Sequence, residues 1–249
     1  MRRAAISTTA ALLVSALAVP LASAAPSIPA YISAAVADSA RPAEDKQRDA
    51  DRKPADTLAF AGVKPGDTVI EIAPGKGYYT RLLSAVVGPK GKVYAVGSQP
   101  KPDAPPPPVQ AIAADPHYSN VTVSLQKVTE LKLPQSVDLV WTTQNYHDIH
   151  NIQDVDVAKV NSAFFAALKP GGTYFVLDHA AEAGSGARDT STLHRIDEET
   201  VKQEVTAAGF KLVAESDLLR NKSDPHTAKV FDPEIRGHTD QFALKFKKP

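Results

Sequence analysis

The chain has no cysteine, one methionine, one tryptophan and no excess of charge of either sign, with 28 Lys and Arg against 28 Asp and Glu in 249 residues. Without cysteine there is no disulfide scaffold, thiolate zinc site, iron–sulfur cluster, cysteine nucleophile or lipidated cysteine. Balanced charge argues against a broad nucleic-acid-binding face, which needs clustered Lys and Arg, so no nucleic-acid partner is expected. What is there is 43% hydrophobic. At this length that builds one substantial core, with decorations, and excludes a mostly disordered chain.

Charge is also missing locally, since no charged residue lies between Arg3 and Asp38. Arg2 and Arg3, the apolar run from Ala4 and the small residues Ala22-Ser23-Ala24 have the pattern of a secretory signal peptide over residues 1–24. Cleavage is expected between Ala24 and Ala25, giving a periplasmic or secreted protein. Pro20, Pro26 and Pro29 make the run a poor membrane helix, so no stable membrane insertion is expected after cleavage. The paired arginines match a twin-arginine export sequence only in part. Loss of residues 1–24 leaves 26 basic and 28 acidic side chains.

Residues 25–53 read as an Ala- and charge-rich arm with one or two helices, followed by a domain over residues 54–249. Pro54 suits the first turn of a helix through Phe60. Strands are expected at Asp67 to Ile72, Lys92 to Val96, Val121 to Leu125, Val137 to Trp141, Thr173 to Leu177, Lys211 to Ala214 and Gln241 to Phe246. Helices are expected at Tyr79 to Val87, Val155 to Leu168 and Glu198 to Ala208, the second ending at Lys169-Pro170-Gly171-Gly172. Six prolines between Pro100 and Pro108 force an extended loop. Short β-branched runs alternating with helices indicate an α/β fold, a doubly wound, Rossmann-like, seven-stranded, mainly parallel sheet. No helix-sized pattern separates the last two strands, which are expected to pair antiparallel at one edge.

The first strand runs into Glu71-Ile72-Ala73-Pro74-Gly75-Lys76-Gly77-Tyr78 and then a helix. In a doubly wound sheet this loop sits at the switch point where ligands bind, and the helix N-terminus offers free N–H groups. A lone Gly-x-Gly fits a tight strand-to-helix turn equally well. In context, the acid at the strand end, the Gly-Lys-Val-Tyr-Ala-Val and Val-Asp-Leu-Val-Trp strands, Leu-Lys-Pro-Gly-Gly and the terminal hairpin resemble the class I S-adenosylmethionine-dependent methyltransferases over about residues 54–249. Asn145-Tyr146-His147-Asp148-x-His150 is similar to a bacterial group of exported methyltransferases.

The resemblance implies S-adenosylmethionine as cofactor and a small molecule or envelope component as acceptor. It places Glu71 beneath the loop and Gly75 and Gly77, with Ala73 and Tyr78, near the methionine part of the cofactor. Thr143 and Asn145 would lie on the methyl-transfer face. Three positions depart from the pattern. Ala73 replaces a usual glycine, which is tolerable at negative φ. Gly97-Ser98-Gln99 stands where an acid should accept the ribose hydroxyls, with Gln99 a partial substitute, and Gln126-Lys127 stands where an acid often reads adenine. NAD is a poorer fit, because Thr80 takes the third glycine's place and Gly97 that of the acid.

Four of the seven histidines, His147, His150, His179 and His194, fall near predicted strand ends and are candidates to face one crevice. His147, His150 and Asp148 are the catalytic candidates, an imidazole acting as general base with Asp148 orienting it. A divalent-metal site from His147, Asp148, His150 and His179, or a purely structural network, uses the same residues; no metal is expected. The alternative function is a non-catalytic ligand-binding module on a degenerate methyltransferase fold.

Overall fold

The computed structural model describes residues 28–133 and 135–249. The expected signal peptide lies outside the described residues. The arm forms three short helices, α1 (Ala30–Ala37), α2 (Ala43–Gln47) and α3 (Asp49–Arg52), and α4 (Pro54–Ala61) carries proline in its first turn as expected. The alternating part follows as β1 (Thr68–Ile72), α5 (Tyr78–Val87), β2 (Lys92–Gly97), α6 (Val109–Ala114), β3 (Val121–Leu125), β4 (Val137–Thr143), α7 (Tyr146–Ile149), α8 (Val157–Ala167), β5 (Leu168–His179), α9 (Glu198–Ala207), β6 (Lys211–Ser216) and β7 (Gln241–Lys247).

These strands form one seven-stranded sheet in the order β3-β2-β1-β4-β5-β7-β6. The contacts β1–β2, β2–β3, β1–β4 and β4–β5 are parallel; β7 runs antiparallel to both β5 and β6. The expected final pair is thus present, with β7 inserted between β5 and β6. Successive residues of a strand face opposite sides, and both sides are apolar. Val69, Val93, Leu139, Trp141 and Phe175 pack with α1, α4 and α5. Ile70, Val96, Val140, Tyr174 and Phe246 pack with α8 and α9. The sheet is therefore buried on both faces, as the near-continuous apolar strands require.

One expectation needs correction, and one helix was not foreseen. The Lys169–Gly172 turn is absorbed into β5, where Val137 sits opposite Leu168 with an irregularity before Leu139. Gly171, at φ +74, makes this possible, and its N–H donates to the Lys248 carbonyl. The proline-rich loop ends in a short helix, α6, whose Val109 and Ile112 are buried. Among the described residues no helix is long and apolar enough to cross a membrane.

The chain reverses direction in sheet order at β1, with β2 on one side and β4 on the other. The crevice at the carboxyl ends of these strands is where such a sheet binds ligands.

Candidate active site

Three strand ends meet at the crevice. After β1, the glycine loop places Gly75 at φ +56 and Gly77 at φ +79. A side chain on Gly75 would meet nothing within 4 Å, whereas one on Gly77 would overlap the tip of the Ile112 side chain. Gly75 thus borders open space, while Gly77 is favoured by its left-handed φ, with the tip of Ile112 from α6 packed against it. Ala73 has φ +49, contrary to the negative value that would make its methyl group harmless; an alanine occupies a left-handed position that favours glycine.

Beneath the loop, Glu71 is 2% exposed and accepts a hydrogen bond from Thr80 Oγ1 at 2.5 Å. Burial pushes its carboxyl up to about 7 against the bonds from Thr80. After β4, Asn145 donates through Nδ2 to the carbonyls of Ile72 and Thr143, at 2.8 and 3.1 Å. Its buried Oδ1 has no partner among the described residues, leaving an acceptor at the β1/β4 switch point. Thr143 Oγ1 accepts from Trp141 Nε1.

His147, 2% exposed, is fixed twice by Asp178 at the end of β5, which is fully buried. Asp178 Oδ2 accepts the His147 backbone N–H and Oδ1 lies 2.8 Å from Nδ1. A carboxylate only accepts, so Nδ1 carries the proton and Nε2 is left for the crevice. Burial opposes the charge on His147, but Asp178, with Asp148 behind it, raises its pKa above the ordinary value. Asp178 is correspondingly held below the usual carboxylate range, its burial outweighed by His147. His179 bonds Thr239 through Nδ1 and is pushed down to about 4 by burial, leaving a neutral ring.

The expected catalytic trio does not assemble as written. Asp148 is exposed and approaches His147 Nε2 at 3.3 Å, so it is a neighbour of the crevice face, and Asp178 is the orienting acid. His150 turns to Glu204 at 3.1 Å, because α7 spans only Tyr146–Ile149 and leaves His147 and His150 on different partners. The metal set suggested by sequence fails for the same reason. Among the described residues, the ligand atoms that come within 4.8 Å of one another belong to His147, Asp148 and His194, the last at φ +57.

Two cofactor candidates are also spent elsewhere. Tyr78 gives its hydroxyl to Asp49 of the arm at 2.7 Å. Gln99 is exposed and donates to the Leu125 carbonyl. Missed by sequence reasoning were Asp178 and Arg52, which line or support the same crevice; an acid at the carboxyl end of a predicted parallel strand was the available sign for the first.

A pocket of about 830 Å³ opens over these groups. Its floor is Gln144, His147, His179 and Gln241, its roof the α2–α3 arm and residues 230–237, and Lys76 comes from the glycine loop. That volume suits a small organic ligand.

The strand order, with a reversed β7 between β5 and β6, is the fold of the class I S-adenosylmethionine-dependent methyltransferases. The chain resembles an S-adenosylmethionine-dependent methyltransferase from Aquifex aeolicus, at TM-score 0.60 and 18% identity over 84% of this chain and 99% of that one. Fibrillarin from Aeropyrum pernix, solved with S-adenosyl-L-methionine natively bound, is similar at TM-score 0.52 and 17% identity over 80% and 76% of the two chains. In sequence, 126 residues are 27% identical to a demethylmenaquinone methyltransferase of Symbiobacterium thermophilum, covering 49% of this chain and 46% of that protein. The chain thus matches about half the length of that curated relative. No protein-family model matches it.

Proposed function

We propose that the protein is an S-adenosylmethionine-dependent methyltransferase acting on a small molecule or envelope component. The observation that carries this reading is the His147–Asp178 pair, set in the lining of a pocket beside the glycine loop, with Asp148 Oδ1 3.3 Å from the outer nitrogen Nε2. The cofactor supplies an electrophilic methyl group. The open space at Gly75 and the unpartnered Asn145 Oδ1 suit the amino-acid end of that cofactor, an ammonium donor meeting a buried acceptor. The ribose end fits less well, since Gly97-Ser98-Gln99 offers no acid and Gln99 is already bonded. Lost charged acceptors cost about 1.5–3 kcal/mol, one to two decades in affinity.

The remaining work falls to the chain. Displacement at a methyl group needs alignment of the acceptor and removal of its proton. His147 Nε2 accepts that proton and Asp178 stabilises the imidazolium, while the arm and residues 230–237 cover the pocket. Export is part of the proposal and rests on the pattern of residues 1–24 alone.

Calorimetric titration with S-adenosylmethionine and S-adenosylhomocysteine tests the reading: binding is expected, and no heat at millimolar ligand overturns it. Binding without product in methyl-acceptor screens, unchanged in His147→Ala, would favour the non-catalytic module.

A further inference from the structure

The arm carries two kinds of arginine. Arg41, 3% exposed, makes two hydrogen bonds to Asp49 at 2.9 and 2.6 Å, and Arg81 of α5 pairs with Asp45 at 2.9 Å. Arg41–Asp49 ties the arm to itself, and Arg81–Asp45 pins it onto α5. Arg48 and Arg52 have no carboxylate within ion-pair distance among the described residues, and the same holds for Arg236 across the pocket. All three line the pocket.

Arg52 is the most constrained of them. Its guanidinium lies over the faces of Tyr78 and Tyr79, at 4.7 and 5.6 Å, and Nη2 donates to Gln144 Oε1 at 2.6 Å. Burial works against its charge, lowering its pKa from the ordinary value. For a shielded guanidinium without a carboxylate, the tyrosine faces and Gln144 offset the desolvation cost only in part, and the remaining N–H donors suit a planar anion.

The position of this cation separates acceptor from cofactor. The pocket takes its floor from the ends of β4, β5 and β7 and only Lys76 from the glycine loop; residues 97–99 do not line it. Glu44, Asp45 and Asp51 of the arm and Asp148 of α7 also line the pocket, Asp45 being paired with Arg81, so a ligand's negative charge is favoured at the arginines without a carboxylate and disfavoured beside these acids.

We infer that the methyl acceptor is an anion, a small carboxylate or phosphate ester, whose charged group is held by Arg52 with Arg48 and Arg236 while its nucleophilic atom faces His147. The inference rests on the methyl-transfer reading for the word acceptor and not for the anion site itself.

The test is binding of benzoate against its neutral analogue benzyl alcohol, by calorimetry on the purified protein, with and without saturating S-adenosylhomocysteine. Benzoate is expected to bind at least tenfold more tightly than benzyl alcohol in both conditions. Arg52→Gln should erase that preference, Arg48→Gln and Arg236→Gln should each reduce it several-fold, and the surface control Arg188→Gln should leave it unchanged. The two exposed variants keep the test valid if Arg52→Gln fails to fold. Equal binding of the two probes, or a preference untouched by Arg48→Gln and Arg236→Gln, overturns the proposal. So does displacement of benzoate by S-adenosylhomocysteine, which would assign Arg52 to the cofactor's own carboxylate. Preferential benzoate binding with no binding of S-adenosylhomocysteine leaves the anion site standing and removes the methyl-transfer reading.

Discussion

Asp178 binds His147 through both of its oxygens, one to the backbone N–H and one to Nδ1, each at 2.8 Å. The two residues are 31 positions apart and meet because β4 and β5 are parallel neighbours whose carboxyl ends coincide. Ring orientation and tautomer are therefore set by one buried carboxylate. Asp178→Asn keeps the shape but loses the charge that stabilises the imidazolium. The expected result is a fall in kcat of about 10²- to 10⁴-fold with little change in KM. Steady-state kinetics check it, and a matching rise in KM alone would contradict the role.

The pH profile follows from the same pair. With its pKa raised above 6.5, His147 is protonated in slightly acidic solution, and a base must be unprotonated to act. Thus kcat/KM should climb about tenfold per pH unit and level off above the raised value, with the inflection moving lower in Asp178→Asn. The stability contribution runs the other way: for a raised folded pKa it is fully present below 6.5 and lost as pH rises through the folded value. Activity abolished by EDTA and restored by zinc would instead assign the His147, Asp148 and His194 cluster to a cation.

Ala73 offers a stabilising change. An alanine at φ +49 costs about 1–2 kcal/mol, partly offset on mutation by the greater unfolded entropy of glycine. Ala73→Gly is expected to gain about 0.5–1 kcal/mol, roughly 2 °C in Tm for a chain of this size. A lower melting temperature would show that the loop depends on the methyl group.

Glu71 makes stability pH-dependent from within the core. Its folded pKa of about 7 lies above the ordinary 4.5. Its contribution is present below 4.5 and lost as pH rises through 7, where a buried carboxylate must ionise. Glu71→Gln keeps an acceptor for Thr80 and removes that cost, at most about 3 kcal/mol. Thermal melts should show the variant gaining on the wild type at pH 8.5 and much less at pH 5; no gain at pH 8.5 would refute the burial argument.

All seven strands were legible in sequence, because each is a short apolar or alternating run bounded by glycine, proline or polar residues, and a sheet covered on both faces demands that pattern. The glycine loop was legible as a turn, but Gly77 shows why a motif underdetermines its reason. Its left-handed φ favours glycine, and the neighbour packed against it is Ile112, in a helix hidden behind six prolines. Local chemistry likewise suggested Asp148 as the partner of His147, its neighbour in the chain, and paired His150 with it across one helical turn.

Periodicity is a local property, so the sequence by itself determined the strands, most helices and the strand-end location of His147. Only the tertiary structure decided that Asp178 orients it, that His150 belongs to Glu204, that Tyr78 docks the arm and that Arg52 is left without a carboxylate. Those pairings join side chains across parallel strand ends and between the arm and the sheet. Hydrogen-bond reach of about 3 Å is set there by packing of distant segments, which no spacing along the chain encodes.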